Sequence, residues 1–122
     1  MSDLSHVQAF TGAMQRKDMV AMLSHMSDEI VLRTPLAAEP ASGKAAVRPI
    51  VAALLGIVDR FEFREIMQGP EHVSAFFGIT VGRHQLDGVD YWKLDGTGLI
   101  REMTVLWRPL PAVAAVNALL AS

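Results

Sequence analysis

The chain has 122 residues, 51% of them hydrophobic, and its 11 basic and 13 acidic side chains leave a formal net charge of -2. That length suits one domain, 1–122, with a real core and no linker, while the scattered charges provide no concentrated basic surface for nucleic acid or an anionic membrane. With no cysteine in the chain, disulfides, thiolate metal sites and thiol catalysis are excluded.

The opening residues MSDLSHVQAF carry an acid and a helical pattern instead of a basic start and an apolar run, so no signal peptide is expected. No stretch nears the roughly 20 apolar residues of a bilayer span, and a cytoplasmic protein is the expectation. Ser2 or Asp3 can cap a first helix, in which Leu4, Val7, Thr11 and Met14 keep a three-to-four spacing beside Phe10. After the polar break QRKD, Asp18 caps a second helix carrying Met19, Met22, Leu23 and Met26 on one side. Its methionines read as adaptable core filling.

Residues 29–34, EIVLRT, form a short strand that ends at Pro35. A loop, PLAAEPAS, leads to a third helix introduced by Ser42 and Gly43, with Val47, Ile50, Val51, Leu54 and Val58 as its apolar stripe. Pro49 fits that helix only near its start or at a kink.

From Phe61 the period changes to two. Phe61, Phe63, Glu65 and Met67 alternate with Glu62, Arg64 and Ile66, and QGPE turns the chain into a second strand with Val73, Ala75, Phe77, Ile79 and Val81 on one face. Residues 84–110 add two more strands around a turn. Connections this short make the four antiparallel. The Gly-containing motifs DGVD and LDGTGLI read as turn or bulge chemistry; neither leads from a strand into a helix, so they are not phosphate loops. Leu110 to Ser122 is a helix whose only polar interior residue is Asn117, and so apolar a helix must be covered by the sheet, by a pocket mouth or by a second subunit. Helices followed by meandering strands make an α+β fold in which a curved sheet wraps the helices.

Two stretches, SDEIVLRTPLAAEPASGKAAV and DGVDYWKLDGTGLIREMTVLWRPL, resemble the SnoaL-like branch of the nuclear transport factor 2-like superfamily, which also holds ketosteroid isomerase, scytalone dehydratase and limonene epoxide hydrolase. The resemblance implies a cystatin-like cone of curved, mostly antiparallel sheet around N-terminal helices, one enclosed apolar cavity and a homodimer. Against ketosteroid isomerase, it puts Asp90 where that family holds a protonated aspartic acid, Thr34 where it has its aspartate base, and Phe10 where it has a tyrosine. Threonine is no base near neutral pH and phenylalanine has no donor. The arginine and paired aspartates of the epoxide hydrolases and the histidine-aspartate arrangement of the polyketide cyclases have no counterpart.

Strand alternation independently puts Asp90, Trp92 and Leu94 on one apolar face, and Met103, Val105 and Trp107 on the matching face of the next strand. A carboxyl among such groups resists ionisation unless a donor is close. Asp90 therefore reads either as a neutral acid that hydrogen-bonds a ligand oxygen or as a turn cap or ion-pair partner, with His6 and His84 the natural partners. The candidate ligand-binding set is Phe10, Thr34, Phe77, Trp92, Met103, Val105 and Trp107, each of which also reads as plain core, with Asp90 the candidate catalytic residue. No histidines and carboxylates have metal spacing, and no cofactor is expected. The function expected is binding of an apolar, ring-containing small molecule, any catalysis being an isomerisation or dehydration by proton transfer. The alternative is a non-catalytic dimerisation or scaffold domain.

Overall fold

The computed structural model describes residues 4–121. The first helix, α1 (Ser5–Gln15), buries Val7, Phe10, Thr11, Ala13 and Met14, the face its spacing predicts. Leu4 stands at its cap position with no side-chain cap bond, and the expected caps Ser2 and Asp3 lie outside the described residues. The helix stops where Lys17 adopts φ 58. There the Lys17 amide donates to the Met14 carbonyl at 3.1 Å and the Asp18 amide to the Ala13 carbonyl at 2.8 Å, the paired bonds of a left-handed C-terminal stop. Asp18 then caps α2 (Met19–Ser24), its Oδ1 accepting from the Ala21 amide at 3.1 Å. The helix is shorter than its methionine spacing implies. Met26 does not continue it but begins β1 (Met26–Arg33), which starts three residues before the expected strand and ends before Thr34.

The loop after β1 contains an unpredicted two-residue edge strand, β2 (Ala41–Ser42). Gly43, at φ 85, enters α3 (Lys44–Ile57) and donates its amide to the Ile30 carbonyl at 2.7 Å, fastening the helix start to β1. Pro49 lies within α3, past the first turn, in an exposed position. The stripe is only partly core: Val47, Val51 and Val58 are buried, whereas Ile50 is 38% exposed.

Strands β3 (Arg60–Gln68), β4 (Val73–Val81), β5 (His84–Leu94) and β6 (Ile100–Arg108) follow as an antiparallel meander. The full sheet runs β2-β1-β6-β5-β4-β3, with β1 parallel to β6. On β4 the predicted face is the buried one throughout. On β3 it is not. A bulge between Phe63 and Glu65 puts Phe61 and Phe63 opposite Ile79 and Phe77, but Ile66 and Gln68 opposite Ala75 and Val73. An extra residue in one strand reverses the alternation beyond it, so Glu65 and Met67 leave the side that the alternation gave them with Phe61 and Phe63.

The LDGTGLI turn is built on Asp95, whose Oδ1 accepts from the Thr97 amide and hydroxyl and from the Leu99 amide at 2.9, 2.7 and 3.0 Å. DGVD, by contrast, is neither turn nor bulge. It lies in regular β5 pairing, with Gly88 opposite Phe77 and Trp107. A Cβ there would meet Phe77 Cζ at 2.5 Å and Trp107 Cδ1 at 2.9 Å, so the glycine exists to let two rings in. The last helix, α4 (Leu110–Ala121), buries Ala112 and Val116 and packs on β5, β6 and α3. The core lies between the concave face of the sheet and the helices, with Trp92, Phe10 and Phe77 its largest fully buried side chains. No helix among the described residues is long and apolar enough to cross a membrane.

Candidate functional site

A cavity of about 410 Å³ opens between the helices and the concave face of the sheet. Each wall comes from an element already placed: Phe10 and Met14 from α1, Met22 from α2, Ile50 and Leu54 from α3, and Leu120 from α4. The sheet contributes Met26 and Leu32 from β1, Phe61 from β3, and Met103, Val105 and Trp107 from β6. Among the lining residues none carries Asp, Glu, Lys, Arg or His, and the polar side chains are Thr34, Asn117 and the indole of Trp107. A wall of this kind selects neutral apolar matter by desolvation, because an ion entering it would lose its hydration with no countercharge in return.

Five of the residues singled out from the sequence meet on this wall: Phe10, Thr34, Met103, Val105 and Trp107. Phe77 and Trp92 do not line it. Trp92 is fully buried beneath, its ring edge-on to Phe10 at 6.0 Å between centroids, and Phe77 packs on Phe63 at 5.5 Å. Asp90 also lies behind the wall. It is fully buried, its strand partners are Ala75 and Val105, and neither carboxylate oxygen has a hydrogen-bond partner among the described residues. Burial accordingly pushes its pKa well above the ordinary carboxylate value, because it disfavours the charged form. Trp92 Nε1 and Trp107 Nε1 are likewise buried and unpartnered, so three inward side chains of β5 and β6 keep polar atoms in reserve.

The suggested histidine partners of Asp90 are engaged elsewhere or apart from it. His6 Nδ1 lies 2.9 Å from His25 Nδ1, which ties the first turn of α1 to the junction of α2 and β1. Such a contact needs one nitrogen protonated and one bare. Burial, then the charge of His6, lower the pKa of His25. His84 starts β5, half-buried, beside the Gly82-Arg83 turn. His72 stacks on Tyr91 at 4.4 Å. No group of three or more metal-ligating side chains occurs among the described residues.

The reading from sequence missed most of the helical wall. Met22 and Met26 were read as core filling, and they do fill it, but together with Met14 they also face the cavity. Ile50 belongs to the apolar stripe of α3, whose spacing does not tell core from cavity wall. The signal for Asn117 was its isolation in an apolar helix.

A SnoaL-like domain profile matches residues 7–103. No curated protein matches the sequence. Among solved structures, a steroid delta-isomerase from Pseudomonas aeruginosa superposes with a TM-score of 0.87 at 23% identity, covering 96% of this chain and 87% of that one. An uncharacterised protein with a cystatin-like fold from Silicibacter pomeroyi gives 0.89 at 20% identity, covering 96% and 83%. The epoxide hydrolase/cyclase-like enzyme SalBIII, of pyran-ring formation in salinomycin, gives 0.74 at 18% identity, covering 84% and 88%. These likenesses are likenesses of fold, and the profile, which spans most of the sequence, makes the chain a member of the SnoaL-like family.

Proposed function

We propose that the protein binds a neutral, apolar, ring-containing small molecule in the cavity between its helices and its sheet. The observation that carries this reading is the wall itself, about 410 Å³ of space without an ionisable lining side chain. Asp90 supplies the acid behind that wall. Its strand partner Val105 and the next inward residue of β6, Trp107, both face the cavity, and a ligand that displaces either meets a protonated carboxyl able to donate to an oxygen. An isomerisation or dehydration by proton transfer is the chemistry open to such an acid. Thr34, where the isomerases resembled in sequence have their base, is a hydroxyl, and the lining offers no other base. Binding without turnover is therefore the favoured reading, in a cytoplasmic homodimer.

Thermal shift against a panel of neutral polycyclic ketones and alcohols tests it. At least one compound should raise Tm, and Asp90→Leu should diminish that rise for the ketones more than for the parent hydrocarbons. Indifference to the whole panel would sink the reading.

One feature favours a scaffold role instead: Leu106, 59% exposed, sits on the outer face of the sheet between Thr104 and Arg108. A domain that works only by pairing through that face would dissociate on Leu106→Glu, measured by sedimentation, while ignoring every ligand.

A further inference from the structure

Resting on the reading of the cavity as a ligand site, we infer that Asn117 is its polar anchor, acting with Thr34, and that the ligand is a neutral molecule carrying a hydroxyl or ketone oxygen. Asn117, Leu120 and Ala121 line the cavity together and are spaced three and four residues apart, so one stripe of α4 faces the space. The adjoining stripe, Ala112 and Val116, is buried on the fold's own core, with Leu120 at the boundary between the two. The helix LPAVAAVNALLA holds one polar side chain, and it falls on the cavity stripe.

The chemistry of the two polar residues is complementary. Asn117 lines the cavity while exposed as a residue, and its side chain makes no hydrogen bond to any described residue, so its amide has both a donor and an acceptor unused. One of the two lone pairs of Thr34 Oγ1 is engaged by the Leu36 amide, which donates to it at 3.3 Å. That leaves the hydroxyl proton of Thr34 to be given away. An amide that gives and takes, together with a hydroxyl that gives, suits a ligand with one hydroxyl or carbonyl, and neither matches a carboxylate or phosphate, whose charge would stay uncompensated.

Fluorescence titration of the whole chain with pyrene, 1-hydroxypyrene, benzanthrone and pyrene-1-carboxylate tests this at neutral pH. In the wild type, 1-hydroxypyrene and benzanthrone should bind roughly two- to tenfold tighter than pyrene, the span of one net hydrogen bond. The carboxylate should bind weakest. Asn117→Leu should erase the advantage of 1-hydroxypyrene and leave pyrene affinity unchanged. Asn117→Asp keeps an acceptor but no donor, so it should hold 1-hydroxypyrene and weaken benzanthrone. Thr34→Val should weaken benzanthrone alone. Equal affinity for pyrene and its hydroxyl derivative, or an advantage that survives Asn117→Leu, overturns the anchor and leaves the cavity reading standing. Tight binding of the carboxylate overturns the neutral class. If no probe binds, both fall together. Circular dichroism of each variant excludes a loss of α4, which an exposed helix position does not predict.

Discussion

Two aspartates stand three residues apart on β5, on opposite faces of one sheet, and their fates differ completely. Asp87 points outward, where Arg64 Nη1 lies 2.9 Å and Arg108 Nη1 2.8 Å from its two oxygens. Asp90 points inward and has no partner among the described residues. The Arg64 bond first, then the Arg108 bond, hold the Asp87 carboxyl below its ordinary pKa; burial alone raises Asp90. One face of the sheet is thus specified by exchangeable, solvated charge, and the other by shape around a carboxyl whose ionisation burial disfavours. The difference separates a face specified by packing from a face specified by ion pairs.

The strongest way to break the comparison is on the inner face. Trp92→Ala removes the largest fully buried side chain and its edge contact with Phe10, and should cost about 3–5 kcal/mol in urea unfolding. A loss below 1 kcal/mol, as at ordinary surface sites, would mean the inner face is not held by shape.

A matched pair of glycines comes next. Gly88→Ala drives a methyl into Phe77 and Trp107, with contacts of 2.5 and 2.9 Å, and should cost about 1–3 kcal/mol. Gly78→Ala, on the outer face opposite Asp87, meets Arg64 Nη2 at 2.5 Å, the far end of a flexible side chain that can swing away. Its cost should be clearly smaller, and equal losses would erase the distinction between the faces.

The carboxyls themselves sharpen the contrast through pH. In Asp90 the folded pKa exceeds the unfolded value near 3.8, so the native state keeps a proton that the unfolded chain releases. Its contribution is fully present below 3.8 and declines as pH rises toward the folded value. Asp90→Asn cannot titrate, so its stability should gain on the wild type steadily as pH rises through that window; parallel Tm curves would show an ordinary, ionised aspartate. Asp87 has the opposite sign: its contribution is present above 3.8 and disappears as pH falls through the lowered folded value. Asp87→Asn should show the smallest effect of the series, confined to low salt, since the group is exposed and screened. An effect that persists in concentrated salt would place Asp87 in a less solvated setting.

Much of this architecture was legible residue by residue. The buried face of β4, the inward pairing of Asp90 and Trp92 with Val105 and Met103, the cap at Asp18 and the turn at LDGTGLI all follow from period, capping and turn chemistry. Each depends on neighbours in sequence. The misreadings share a cause: Glu65 and Met67 were placed by an alternation that the bulge at Arg64 reverses, and Gly88 was read as turn or bulge chemistry because its reason, two rings arriving from β4 and β6, lies far along the chain.

The candidate site divides the same way. The amino-acid sequence by itself determined that Asp90 lies among apolar side chains and that α4 carries one polar residue, because both are matters of local pattern. Only the tertiary structure decided that Phe77 and Trp92 are core while Met22 and Ile50 are wall, that His6 faces His25 instead of Asp90, and that Asn117 meets Thr34 at one cavity. Period reports which side of an element a residue takes. Whether that side meets a neighbour or a space depends on how separate elements stack, and no stretch of ten residues contains that distance.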